Sequence, residues 1–146
     1  MSLKIINNHF KNYKINNSAI SETLSSILKN ENKKIENLNI VIENDNFLKV
    51  LKKKYFNQNV YTDVITFNLE EDNEPIDGEI YVSLPRIIEN AKVYDSKFEE
   101  EFKRILIHGF LHLVGYNDLD KKQKNQMTKL ENYYITLNSK YFIEVS

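Results

Sequence analysis

The sequence predicts a layered α/β (α+β) domain, with about four short strands in a mixed sheet packed against about five helices. Three observations carry this expectation. Short runs rich in β-branched and aromatic residues, such as DVITF and GEIYVS, lie among longer stretches whose apolar residues recur at helical spacing. The composition, 41% apolar and 12% aromatic over 146 residues, is enough to build a core. No internal repeat is visible, and three glycines with two prolines leave no flexible linker, so residues 1–146 read as one domain.

The elements follow in order. A short strand is expected near Leu3 to Ile6. A helix opened by Asn17 or Ser18, with Glu22 as a reciprocal cap, runs to about Lys29. ENLNIVIEN reads as a strand, and DNFLKVLKKKYF places Phe47, Leu48, Leu51 and Tyr55 at helical spacing behind a cap at Asn44 or Asp45. DVITF and GEIYVS read as paired strands, with the turn residues between them in the acidic EEDNEPIDG. Pro85, suited to a first helical turn, introduces a helix to about Val93. Another runs from about Lys97 to Val114, and KKQKNQMTKLENYYITL makes a last amphipathic surface helix.

Composition narrows the chemistry. With no cysteine, thiolate catalysis, disulfides and Cys-rich zinc sites are excluded, so any metal must be held by His, Asp or Glu. The formal net charge of -1 removes bulk electrostatic attraction to nucleic acid, and such a partner would need a local patch. No apolar run is long enough to span a bilayer and the N-terminus lacks the pattern of a signal peptide, so a cytoplasmic protein without a membrane partner is expected.

The chemistry concentrates in RILIHGFLHLVGYNDLD, residues 104 to 120. His108 and His112, two of the three histidines, are four apart, which on a helix puts both rings on one face. The zinc helix of the H-E-x-x-H motif has this spacing, but position 109 is glycine and offers no general base. Gly115 follows three residues after the second histidine and Asp118 six after it, as in longer zinc motifs where a glycine turns the chain back to bring a third ligand. His108, His112 and Asp118 are therefore a candidate three-ligand set for a single Zn2+, with a fourth position open for catalysis. The bland alternative makes the histidines core residues bonded to backbone carbonyls, Gly115 an ordinary C-cap, and Asp118 or Asp120 the cap of the next helix. Against it, each imidazole buried among Ile105, Leu106, Ile107, Phe110, Leu111, Leu113 and Val114 must find a polar partner or lose roughly 1–3 kcal/mol, and one cation satisfies both.

HGFLHLVGYND, preceded by TDVITF and GEIYVS, resembles the YbeY family of single-domain bacterial metalloproteins from about Thr62 to Asp118. The resemblance implies a single metallohydrolase domain over residues 1–146: a zinc-dependent endoribonuclease in ribosomal RNA maturation, at the small-subunit 3′ end, and in ribosome quality control. It implies an RNA precursor and the ribosome or its proteins as partners, and no nucleotide cofactor. The family's third histidine falls on Asp118, its G-D-I reads Gly78-Glu79-Ile80, and an arginine often found seven residues before the T-D aspartate falls on Phe56. Asp63 and Glu79 are accordingly the candidate catalytic carboxylates, and Lys52, Lys53, Lys54 and Arg86 are candidates to replace the missing RNA-binding cation.

Read from residues alone, Asp63 is either a carboxylate that orients a ligand imidazole or, with Thr62, the cap of a turn. LKKKYF mixes cations with the stacking rings Tyr55 and Phe56, which suits single-stranded RNA, although three lysines on a helix are also an ordinary solvated face. His9 reads as an exposed residue. Two alternatives to the nuclease stay open: an assembly module with a structural zinc, for which Asp120 or Asp63 would be the fourth ligand, and a metallohydrolase of another small substrate.

Overall fold

A computed structural model describes residues 1–69 and 75–146. The acidic turn expected at 70–78 lies mostly outside the described residues. Eleven elements follow in the order β1 (Ser2–Asn7), β2 (Tyr13–Ile15), α1 (Asn17–Glu31), β3 (Ile35–Glu43), α2 (Asp45–Phe56), β4 (Val64–Asn68), β5 (Ile76–Ser83), α3 (Leu84–Val93), α4 (Phe98–Leu113), α5 (Lys121–Leu137) and β6 (Ile143–Val145). The predicted mixed four-stranded sheet and five helices are all present, in the spatial order β1-β3-β5-β4. β1, β3 and β5 run parallel, while β4 is antiparallel to β5 with Val64 opposite Val82 and Phe67 opposite Glu79.

Local sequence explains most boundaries. Asn44 caps α2 by accepting from the Phe47 N–H, and Ser83 caps α3 with Pro85 in its first turn. Helix α1 is capped one residue earlier than expected, by Asn16, whose side chain accepts from the Ala19 N–H. Glu22 takes no part in that cap, and its carboxylate instead accepts from the Asn138 side chain. Two short strands escaped the sequence reading: β2 and β6 pair antiparallel as a separate ribbon, Tyr13 opposite Val145. Three residues each give too little alternation to be seen.

Helix α4 is the centre of the molecule. Phe102, Leu106, Ile107, Phe110 and Leu111 have no exposed surface, because α1, α3 and α5 surround the helix while β4 and β5 lie beneath it. Each such side chain contributes about 1.5–3 kcal/mol through burial. The close approach to the sheet is made at glycines: a Cβ on Gly109 would sit 3.2 Å from Ile80 and 3.3 Å from Thr66, and one on Gly78 would meet Leu113 at 2.9 Å. Lys103, buried on the same helix, donates its ammonium to the backbone carbonyls of Ile135 and Asn138 and so serves the carbonyl end of α5. The last two turns of α4 meet β4, the edge strand, and the candidate site forms there.

Candidate metal centre

Each histidine is held by the ring nitrogen turned away from the other. His108 Nδ1 lies 2.7 Å from Oε2 of Glu131, and His112 Nδ1 lies 2.9 Å from the carbonyl oxygen of Tyr116. A carboxylate and a carbonyl can only accept, so both Nδ1 atoms carry the proton and both Nε2 atoms present lone pairs. Those two Nε2 atoms are 2.9 Å apart, and Asp118 Oδ2 lies 3.3 Å from one and 3.5 Å from the other. The three donor atoms fall within 4.8 Å of one another. Electron pairs aimed at one point repel unless a cation or proton lies between them. Two imidazoles and a carboxylate, each borderline to hard as a ligand, suit zinc or a similar divalent ion, so the donor set fits the expected metal.

The turn after α4 delivers the third member of the donor group. Gly115 adopts a φ of 110°, and the Gly115 N–H bonds the His112 carbonyl while the Tyr116 N–H bonds that of Leu111, the paired bonds of a Schellman ending. Reversing the chain here aims the Tyr116 carbonyl at His112 and brings Asp118 back to the histidines. Tyr116 also donates its hydroxyl to Glu31 of α1, at 2.9 Å from either oxygen, which ties the turn to the body of the protein.

Glu131 is the functional residue that sequence reasoning missed. It sits on α5 with its side chain only 9% exposed, and its second oxygen takes a hydrogen bond from Arg104 at 3.0 Å. Its signal was an acidic residue on the same helical stripe as Met127 and Tyr134, both buried, where a carboxylate needs a reason to be. Burial alone would lower the His108 pKa, but the hydrogen bond and charge of Glu131, with Asp118 and Asp63 behind it, outweigh that effect and hold it above the ordinary imidazole value.

The predicted residues divide. A cleft of about 610 Å³ beside β4 is lined by the three metal-centre residues together with Lys52, Phe56, Asp63 and Thr66. Asp63 thus faces the centre, with burial raising its carboxyl pKa above the usual range and Asn90 at 3.5 Å; the carboxylate that orients His108 is nevertheless Glu131. Glu79 is not brought to the cleft. Gly78 and Ile80 pack under α4, so strand alternation turns Glu79 to the other face of the sheet, where it bonds Tyr81. Arg86 is held in a two-pronged pair with Asp45, at 3.2 and 2.5 Å, and covers the Tyr61 ring. Lys53 and Lys54 border a separate depression with Lys49 and Asn59. Asp120, weighed as a further ligand, is instead the N-cap of α5 in a capping box with Gln123. His9 is half exposed and pairs with Glu43 at 3.3 Å.

A parallel sheet with an antiparallel edge strand, covered by a buried helix that with the turn after it carries a His-x3-His-x5-Asp donor set, defines a protein with a group able to hold a metal at a sheet edge. The model of the family described as Endoribonuclease YbeY matches residues 5–138, and the chain belongs to this family. Its relatives include proteins named Endoribonuclease YbeY from Amoebophilus asiaticus, 39% identical over 84% of this chain and 84% of that one, and from Karelsulcia muelleri, 38% identical over 88% and 90%. A solution structure from Thermotoga maritima superposes with a TM-score of 0.63 at 28% identity, covering 91% of this chain and 86% of that one. Among the described residues no helix is long and apolar enough to cross a membrane.

Proposed function

We propose that this chain is a zinc-dependent endoribonuclease, residues 1–146 acting as a single metallohydrolase domain in the cytoplasm. Its substrate is the ribosomal RNA precursor at the small-subunit 3′ end, and it serves maturation and quality control of the ribosome with which it associates. The observation that carries the reading is the convergence of His108, His112 and Asp118 in a cleft, within a chain whose named relatives are endoribonucleases. These three residues would hold the zinc, which when bound supplies a Lewis acid for a phosphoryl oxygen and an acidified water. Glu131 and the Tyr116 carbonyl keep the imidazoles aimed and in the ligating tautomer. Asp63, whose carboxyl binds a proton more readily than an ordinary aspartate, is the group in the cleft suited to exchange protons with substrate. A structural zinc would require a fourth protein ligand, and among the described residues the donor group has three members.

The test is incubation of a transcript spanning the small-subunit 3′ end with the protein as purified, after chelation, after zinc is restored, and as His108→Ala. Cleavage that disappears on chelation, returns with zinc and is missing in the variant is the expected result. An intact transcript with zinc-loaded parent protein sinks the reading.

A further inference from the structure

Behind the donor group the bonded side chains continue outward and end on a cation. Glu131 gives one oxygen to each of two α4 residues a turn apart: Oε2 lies 2.7 Å from His108 Nδ1, and Oε1 accepts from the Arg104 guanidinium at 3.0 Å. A second nitrogen of that guanidinium donates to the side-chain oxygen of Asn132, the next residue of α5, at 2.8 Å. Arg104 thus spans two adjacent α5 side chains with the fork of one rigid plane.

The Glu131 carboxylate needs such a hold. The last torsion of a glutamate side chain is broad, so a bond to His108 alone leaves the carboxylate plane free to turn, whereas a bond on each oxygen fixes it. Once the plane is fixed, so is its approach to Nδ1, and with it the line along which His108 Nε2 points. Attraction is the lesser part of the contact, because the Arg104 side chain is 36% exposed against 9% for Glu131, and water screens so open a pair. Nor is Arg104 an ordinary surface charge. Glu101, three residues before it on α4, lies in its field, and Asp63, Asp118 and Glu131 all bear on His108, so the guanidinium stands among carboxylates.

We propose that Arg104 is a positioning residue that acts through Glu131: its guanidinium locks the carboxylate that aims His108, and so sets how tightly His108, His112 and Asp118 hold a divalent ion. This rests on the metal-binding part of the reading above and not on its RNA part. Two effects of Arg104 on that ion have opposite signs, which makes the role testable. As a positive charge it repels a cation, so its removal would tighten binding. As the clamp on Glu131 it keeps the imidazole aimed, so its removal weakens binding.

The experiment measures the zinc affinity of the full-length chain by competition with a chromogenic chelator, and the visible spectrum of the chain loaded with Co2+, whose bands report ligand geometry. Arg104→Met keeps the apolar stem without the fork; its zinc affinity falls about tenfold, the lower end of what losing such an outer partner costs, and its cobalt bands change. Arg104→Lys keeps the charge but not the planar fork, and its affinity lies between those of parent and Arg104→Met. Asn132→Ala, at an exposed position, frees one prong and gives a smaller loss in the same direction, which keeps the test open should Arg104→Met not fold. Adding Arg104→Met to Glu131→Ala weakens binding no further than Glu131→Ala alone, because the arginine acts only through the carboxylate. Parental or tighter zinc binding in Arg104→Met, parental affinity in Arg104→Lys, or a loss that adds in full to that of Glu131→Ala overturns the proposal. Parent protein that takes up neither zinc nor cobalt overturns it together with the metal-dependent reading, whereas these results with parent protein that cuts no RNA leave it standing and sink the nuclease reading alone.

Discussion

His108 Nδ1 and Glu131 Oε2 lie 2.7 Å apart, joining the C-terminal half of α4 to that of α5 across a separation of 23 residues. The pair makes the metal centre depend on a helix that carries no ligand. Glu131→Gln removes the charge but keeps a possible acceptor, and Glu131→Ala removes both. Loss of such a partner costs 10–100-fold in metal affinity, so a chelator competition should show a weaker site in both variants, with alanine the weaker of the two. Parental affinity in both would leave Glu131 a purely structural residue.

The same contact sets a pH dependence. Glu131 raises the folded-state pKa of His108 above the reference value of 6.5 against the opposing effect of burial. For a group raised on folding, the stabilisation is full below the unfolded pKa and disappears as pH climbs through the folded value. Metal-free protein should thus lose thermal midpoint as pH rises from about 6.5 through the raised pKa. Metal competes with that proton, so zinc affinity should move the other way and fall as pH drops through the same window. Midpoints measured with and without zinc check the two signs; matching trends would refute the assignment.

Asp118→His should preserve metal binding, because imidazole suits zinc as well as carboxylate does, and Asp118→Ala should weaken it. Elemental analysis after dialysis separates the outcomes. Unchanged metal content and affinity in the alanine variant would remove Asp118 from the ligand set, and Asp120, occupied as a helix cap, is poorly placed to succeed it.

Gly115 and Gly109 should fail for different reasons. At Gly115 a side chain meets nothing within 4 Å, so Gly115→Val suffers only the backbone cost at φ 110°, about 1–3 kcal/mol, or relieves it by unwinding the turn that holds His112 and Asp118. Gly109→Ala gains helix propensity, but its methyl would press on Ile80 and Thr66 and lift α4 from the sheet by a few tenths of an ångström. Two strands, β4 through Thr66 and β5 through Ile80, pack against this position. Both variants should lower the thermal midpoint, and Gly115→Val should lose more metal affinity per degree lost. Parental values for Gly115→Val in both measurements would contradict the role of the turn.

The donor group was legible because its members are local: a turn of helix separates His108 from His112, and one capped turn brings in Asp118. Elements with strong periodicity or clear caps, such as α2 at Asn44 and α3 at Pro85, were equally plain. What stayed hidden depends on distance in sequence. Glu131 passed for a solvated residue of a surface helix, and nothing local says that Asp45, 41 residues away, occupies Arg86. Glu79 follows a glycine that resembles a family motif, yet strand alternation alone sends it to the opposite face, and that sign is fixed only once the register against α4 is known.

The anchor on His112 is a main-chain carbonyl, that of Tyr116, and main chain survives every side-chain substitution. Substitutions in this turn therefore leave that acceptor in place, so long as Gly115 keeps its backbone angle and Tyr116 its bond to Glu31. The bend fixes how far position 118 stands from the two Nε2 atoms, and that position has only to supply a donor atom of the right reach. An aspartate and a histidine at position 118 would then be interchangeable parts on a fixed mount, and a single codon could tune which metal the donor group prefers.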